Sequence, residues 1–255
     1  MDVLAIDIGG THVKLLTTRQ DDRQEFESGP KMTPQSMVAT VKELTKDWKY
    51  ELVSIGYPGP VRFNRPIAEP RYLAKGWVGF NFEAAFQRPV RIINDAAMQA
   101  LGSYRGGRML FLGLGTGLGS AMVVEGSLVP FELGHLPYKK ATVEDYLGLR
   151  GLQRLGKGKW RQEVAYCIGS LVSALQLDDV VLGGGNVKKL KTLPKGCRGG
   201  DNVNAFLGGF RLWEDALLPR ALQKKTLSAV QKKSSLRANQ KTRFTDKDTM
   251  KGAAA

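Results

Sequence analysis

Short apolar runs, each closed by glycine, set the rhythm of this chain. Residues 3–8 read VLAIDI and stop at Gly9-Gly10-Thr11, and an alternating stretch over 13–17 follows at once. Strand, glycine turn and strand predict a hairpin. Residues 24–28 predict a third strand. From Pro34 the apolar positions Met37, Val41, Leu44 and Trp48 fall at helical spacing, after a Thr33 cap and a proline in the first turn. This predicts a helix over 34–48. A strand over 52–57 ends at Pro58-Gly59-Pro60. Residues 61–89 are irregular and rich in Pro, Gly and aromatics, and loops of that length more often carry function than not. A short buried strand over 90–93 then meets Asn94-Asp95, which opens a helix over 96–104.

The second half repeats the theme. Strands over 109–114 and 120–124 flank a glycine run, a loop covers 131–142, and Val143 starts a helix. A longer helix is predicted over 160–175. A strand over 179–182 ends in Gly183-Gly184-Gly185, and a last helix spans 203–217. The expected organisation is a small α/β lobe over 1–104 and a larger one over 105–219, with the last helix packing back on the first lobe. A tail over 220–255 follows.

Composition narrows the class. Hydrophobic residues are 42% and charged residues 24%, which excludes a wholly disordered, collagen-like or disulfide-scaffold chain. No window nears the roughly 18 apolar residues of a membrane helix. The N-terminus has no basic lead, so no secretory signal is expected. Cys167 and Cys197 show no CxxC spacing, and a reducing cytoplasm is the expected location. The net charge of +14 is unevenly placed. The tail has ten Lys/Arg against Asp246 and Asp248, while residues 1–219 have 28 basic against 22 acidic residues. The tail is poor in large apolar groups and reads as disordered. With Phe244 as its one aromatic, it predicts no specific nucleic-acid binding.

Three glycine clusters carry the candidate chemistry: Gly9-Gly10-Thr11, the alternate glycines of 113–119, and 183–185. Glycine lets backbone amides approach an anion closely. A lone cluster would read as a tight turn, but three after strands favour phosphate binding. Neither G-x-x-x-x-G-K-[ST] nor G-x-G-x-x-G is present, so a phosphate hairpin remains.

Asp7-Ile8-Gly9-Gly10-Thr11 with Lys14 resembles the first phosphate motif of the sugar kinase, actin and heat-shock ATPase superfamily. The nearest likeness is to its ROK family of repressors, open reading frames and sugar kinases. Asn94-Asp95 resembles that family's sugar-binding and catalytic step. Residues 114–119 resemble its second phosphate motif, and Glu132-Leu133-Gly134-His135 its ExGH sugar motif. Residues 182–186 resemble the segment beside the nucleotide, and 205–209 the small-residue start of a closing helix. The likeness covers about residues 2–217. The short chain and the Leu128-Val129-Pro130 lead look most like polyphosphate glucokinases within the family.

The resemblance implies a two-lobed ribonuclease H-like (actin-like ATPase) fold with a central cleft. It implies a hexokinase-type phosphotransfer from polyphosphate or ATP to the 6-hydroxyl of glucose. Asp95 would be the general base; by itself it reads equally as a helix cap. Asn94, Glu132, His135, Glu144 and Gly59 would face the sugar. Alone, His135 would read as structural, and Glu144 as a first-turn glutamate. Asp7 would hold magnesium through water. Gly9, Gly10, Thr11, Lys14, Gly115, Thr116, Gly117, Gly184 and Gly185 would line the phosphates, though Lys14 also reads as a solvated strand residue. Residues 136–143 hold no cysteine, so the family's structural zinc is not expected. Ala74-Lys75-Gly76-Trp77 lacks the asparagine that glucose kinases present near a tryptophan, which leaves a fructose, mannose or N-acetylated amino-sugar kinase open. A non-catalytic ROK sugar sensor is disfavoured by the short lead before Asp7 and by the presence of Asp95. Arg154, Lys157, Lys159 and Arg161 read as a solvated face, or as a polyanion track if they lie beside the cleft. The family implies a homodimer. Removing residues 220–255 should leave hexose phosphorylation intact in a coupled assay, and loss of activity would give the tail charges a role this reading denies them.

Overall fold

The computed structural model describes residues 1–214, so the basic tail and the end of the expected last helix lie outside the described residues. The first half contains β1 (Val3–Ile8), β2 (His12–Thr17), β3 (Gln24–Glu27), α1 (Pro34–Leu44) and β4 (Leu52–Tyr57). Then come a two-rung hairpin, β5 (Val61–Arg62) with β6 (Arg65–Pro66), then α2 (Phe82–Phe86), β7 (Val90–Asn94) and α3 (Asp95–Ser103). The sheet order is β3-β2-β1-β4-β7, with β1 antiparallel to β2 and parallel to β4.

The second half contains β8 (Arg108–Leu114), β9 (Leu118–Val124) and β10 (Ser127–Pro130). A small hairpin of β11 (Pro137–Tyr138) and β12 (Ala141–Thr142) leads to α4 (Val143–Leu147) and α5 (Leu149–Leu175). The half closes with β13 (Asp179–Gly183), β14 (Cys197–Gly199) and α6 (Val203–Arg211). Its sheet order, β10-β9-β8-β13-β14, repeats the first topology, again with a three-stranded antiparallel meander followed by parallel strands. Two such sheets, each a three-stranded antiparallel meander extended by parallel strands, make the ribonuclease H-like, actin-like ATPase fold.

The hydrophobic pattern explains the layering. β1 and β4 are buried almost throughout, as parallel strands covered on both faces must be. β2 alternates, with Val13, Leu15 and Thr17 inward. Leu4, Ile6, Ile55, Tyr57 and Trp77 fill one core; Leu110, Leu112, Leu147, Trp160 and Val180 fill the other.

Between the sheets, α3 and α6 cross with almost no separation. A Cβ on Gly208 would lie 1.7 Å from the Met98 carbonyl oxygen, and one on Gly102 would lie 1.8 Å from that of Asn204. α3 touches both β4 and β8, while α6 packs on β1 and β4. Buried Ser54 donates to the Gly209 carbonyl (2.5 Å) and accepts from Trp213 Nε1 (2.9 Å). Arg91 donates to the Leu212 carbonyl and lies 4.2 Å from the Trp213 ring centroid.

The elements differ from the sequence expectation where glycine or short length hid them. α1 stops at Leu44, not Trp48, because the buried Thr45 hydroxyl turns back on the Val41 carbonyl (2.8 Å). α5 starts at Leu149, well before residue 160, and bends at Gly156 (φ 70°), so two helical pieces meet there. Gly151, Gly156 and Gly158 lower helix propensity and erase the periodic signal. α2, β10, β14 and the β11–β12 hairpin were not expected. All are five residues or shorter.

Gly208→Ala puts its methyl into backbone that has no rotamer to yield. It should lower unfolding free energy by at least about 3 kcal/mol in urea titration, as severe overpacking does.

Candidate active site

β1 brings Asp7 to its C-terminal end, with Lys14 opposite on β2 and Gly56 opposite on β4. A Cβ on Gly56 would come within 2.5 Å of Met98 Cε and 3.5 Å of Asp95 Cα. The bare glycine therefore allows the first turn of α3 to sit directly over the sheet. Burial raises the Asp7 pKa above the ordinary carboxylate value, and Lys14 partly offsets this.

Asp95 is the first residue of α3 and is half-buried. Its pKa is pushed up to about 7, first by desolvation and then by the Asp7 and Glu132 charges. Its Oδ1 accepts from the Ala96 amide (2.8 Å), which works the other way. Asn94, not Asp95, caps the helix: its Oδ1 accepts from Ala97 N (3.2 Å) and its Nδ2 donates to the Gly59 carbonyl (3.2 Å). With the capping place taken, Asp95 is left for other work.

The second lobe faces these groups with Glu132, His135 and Glu144. A 3₁₀ turn over Leu133–His135 holds Glu132 and His135 together, with the His135 amide on the Glu132 carbonyl (3.1 Å). Desolvation and the Glu144 charge raise the Glu132 pKa, while His135 lowers it. Glu144 Oε2 accepts from the Leu118 amide (3.0 Å), and Oε1 pairs with Arg150 (3.3 Å). A Cβ on Gly117 would fall 2.5 Å from Glu144 Oε2. The glutamate thus ties the ExGH segment to the glycine hairpin.

Two glycine hairpins supply the candidate phosphate seats. In the first, Gly9 N bonds the His12 carbonyl (2.9 Å) and Ser28 Oγ donates to the Gly9 carbonyl (2.7 Å). In the second, Gly115 N bonds the Gly117 carbonyl (3.1 Å) and the Thr116 carbonyl accepts from Leu149 N (3.2 Å). Among the described residues, the amides of Gly10, Thr11, Thr116 and Gly117 donate to no protein group. Gly184 (φ 85°) presses on Leu114, whose carbonyl oxygen would be 2.5 Å from a Cβ there, and Gly185 is exposed beside it.

Sequence reasoning overlooked several contributors. Asn186 Nδ2 donates to the Gly115 carbonyl (2.8 Å), fixing the second hairpin to the end of β13. Tyr72 lies against Gly10, and Arg71, stacked on Tyr72, reaches from the first lobe to within 3.9 Å of Glu144 Oε1. No motif marks either residue; only the fold brings the 61–89 loop to this edge. Glu69 accepts from the amides of Gly76 and Trp77 (both 3.0 Å) and so shapes the 74–78 turn. In place of a cysteine loop, residues 137–142 form the β11–β12 hairpin. Tyr138 donates to Glu163 (2.7 Å), and Lys139 pairs with the same carboxylate (2.5 Å).

The sequence profile of the ROK family matches residues 3–148, more than half of the chain. The chain belongs to the ROK family. It is 28% identical over 207 residues to the polyphosphate glucokinase of Mycobacterium tuberculosis, covering 72% of this chain and 77% of that protein. The inorganic polyphosphate/ATP-glucomannokinase of Arthrobacter sp. strain KM superposes with a TM-score of 0.69 at 22% identity, over 82% of this chain and 96% of that one. The ROK hexokinase of Thermus thermophilus gives a TM-score of 0.66 at 21% identity, over 84% and 100% of the respective chains. These structural likenesses establish the shared fold. No helix among the described residues is long and apolar enough to cross a membrane.

Because the folded pKa of Asp95 lies above its unfolded value, its ionisation opposes folding. That penalty is absent below about pH 4, grows through the interval and is complete above about 7. Asp95→Asn should therefore raise Tm at pH 8 by about 3–6 °C, with the gain vanishing near pH 4 in calorimetry.

Proposed function

We propose that this ROK protein is a sugar kinase moving a terminal phosphoryl group from polyphosphate, ATP or both to the 6-hydroxyl of glucose. The observation that carries this reading is Asp95, a carboxyl with a pKa near 7 at the start of α3, uncommitted to capping. Around it stand the hydroxyl-binding groups of one lobe and the free amides of two glycine hairpins. The polyphosphate glucokinase relative, at 28% identity, supports the choice of substrates.

In this reading the sugar sits among Asn94, Glu132, His135, Glu144 and the Gly59 backbone. Carboxylates and an amide suit a polyol, whose hydroxyls both donate and accept. The 6-hydroxyl gives its proton to Asp95 as its oxygen bonds the transferred phosphorus. The bond to the departing ADP or shortened polyphosphate breaks in the same step. Gly10, Thr11, Thr116 and Gly117 offer amides to the phosphate oxygens, with Gly9 and Gly115 closing the turns that aim them. Gly184 and Gly185 lie on the far side of the donor, and Lys14 adds positive charge near Asp7.

Magnesium fits this site. Burial holds the neighbouring carboxylates Asp7 and Asp95 above their ordinary pKa values, and the Asp7 charge adds to the rise at Asp95, a charge arrangement that a cation relieves. Asp7 would hold it through water, the rest of the shell coming from donor oxygens, and the ion would neutralise charge on the phosphates. We also infer a homodimer in the reducing cytoplasm. The resemblance to ROK kinases implies the first, and free Cys167 and Cys197 fit the second.

A second reading, an ATP-dependent kinase for mannose, fructose or an N-acetylated amino sugar, draws on one observation. Glu69 locks the 74–78 turn with Lys75 and Gly76 where a glucose-selective asparagine was expected. A matrix of donors against hexoses on purified protein tests both, and no turnover on any combination would sink them together. Asp95→Asn should lower kcat by about 10²–10⁴ with little change in sugar KM. In the unsubstituted enzyme kcat/KM should climb tenfold per pH unit up to about 7 and then level, because only the ionised carboxylate accepts the proton.

A further inference from the structure

The positive charge of the folded body is concentrated in two segments. Residues 146–162 and 186–200 each contain five Lys/Arg and no acid. Outside them, residues 1–219 hold 18 basic against 22 acidic residues, so the whole excess of the body lies in these two stretches. Both leave from the second glycine hairpin. Leu149 N donates to the Thr116 carbonyl (3.2 Å), and Asn186 Nδ2 to the Gly115 carbonyl (2.8 Å). They meet again farther out, where Arg161 Nε donates to the Lys189 carbonyl (2.8 Å).

The arginines of these segments are occupied within the protein. Arg150 pairs with Glu144 and Asp145, Arg154 donates to the Asp145 carbonyl, and Arg198 pairs with Asp179. The lysines are not: among the described residues Lys157, Lys159, Lys188, Lys189 and Lys191 form no ion pair, and all but half-buried Lys189 are exposed. Lys157 follows the Gly156 bend and lies one helical turn before Arg161, hence on the face that meets Lys189.

We propose that this lysine surface is a track for the trailing end of an inorganic polyphosphate chain whose terminal phosphates occupy the 113–119 hairpin. The proposal rests on the kinase reading of that hairpin and deepens it by naming the donor class. A nucleotide ends in a base shortly after its third phosphate, so a lysine surface running beyond the hairpin serves a longer anion. Field focusing by such a surface raises both capture and retention of a polyanion. Single-stranded nucleic acid, the other long polyanion, binds through exposed aromatics that stack on bases. The aromatics of these two segments, Tyr146 and Trp160, are buried.

The test uses the full chain carrying Lys157→Gln, Lys159→Gln, Lys188→Gln and Lys189→Gln. A control carries the same charge change on the other lobe, at Lys31, Lys42, Lys46 and Lys49. Equilibrium binding of long-chain polyphosphate and of tripolyphosphate is measured at fixed ionic strength, beside turnover with ATP. The track variant should weaken long-chain binding by at least about tenfold and flatten its salt dependence, leaving tripolyphosphate within about twofold and the control near wild type. Equal loss for both anions, equal loss in the control, no preference of wild type for the long chain, or equal competition by an oligonucleotide would each overturn the track. The binding arm judges it even if no sugar is phosphorylated, so failure of the kinase reading appears separately, as absent turnover.

Discussion

Everything in this molecule is referred to one contact: two helices pressed together until neither backbone tolerates a methyl group. At the α3–α6 crossing the opposing carbonyls lie where a Cβ would stand on Gly102 and Gly208. α3 simultaneously touches strands of both sheets, β4 in one and β8 and β9 in the other. Its direction is thereby fixed by backbone packing, which is stiffer than side-chain packing. Asp95 inherits that definition, because it is the first residue of the helix so held.

The electrostatics of the centre follow from this geometry. Bare Gly56 lets the helix start descend onto β4, and the descent places Asp95 among Asp7 and Glu132 with little solvent. Three carboxylates in one small region oppose stability, and groups shifted in this way concentrate at functional sites. Glu144 is the link on the opposite side. It grips the Leu118 amide, pairs with Arg150, packs on Gly134 and lies within reach of Arg71 from the other lobe, so the glycine hairpin and the 132–135 turn share one anchor.

Much of this was legible in the residues. β1 and β4 announced themselves because strands buried on both faces are continuous apolar runs, and the glycine hairpins because glycine punctuates them. Asn94-Asp95 read correctly as a helix start, although only coordinates could divide the labour so that Asn94 caps and Asp95 stays free. The first half of α5 was invisible because its glycines dilute the periodic signal. Arg71 and Tyr72 were invisible for another reason: their partners are remote in sequence, and no local pattern encodes a contact made by tertiary folding; Asn186 lay in the 182–186 segment that the resemblance marks, but without its partner. One half of the lysine surface was legible as the Arg154–Arg161 cluster, but not its meeting with residues 186–200, which are separated from it by a helix and a strand.

The far end of α3 has a mechanical meaning. Arg211 donates to the carbonyls of Leu101, Gly102 and Tyr104, Asn204 bonds Ser103 Oγ, and Arg198 spans from Asp179 to the Ser103 carbonyl. Strand β14 and helix α6 therefore also clamp the helix at its C-terminus, with Asp95 at the other end of its nine residues. At 1.5 Å per residue, a tilt of about 5° about that clamp carries the tip about 1 Å. Displacements of that size are enough to change the rate of a reaction that depends on positioning by about a hundredfold. The clamp at residues 101–104 thus acts together with the α3–α6 crossing to hold the direction of the Asp95 carboxylate.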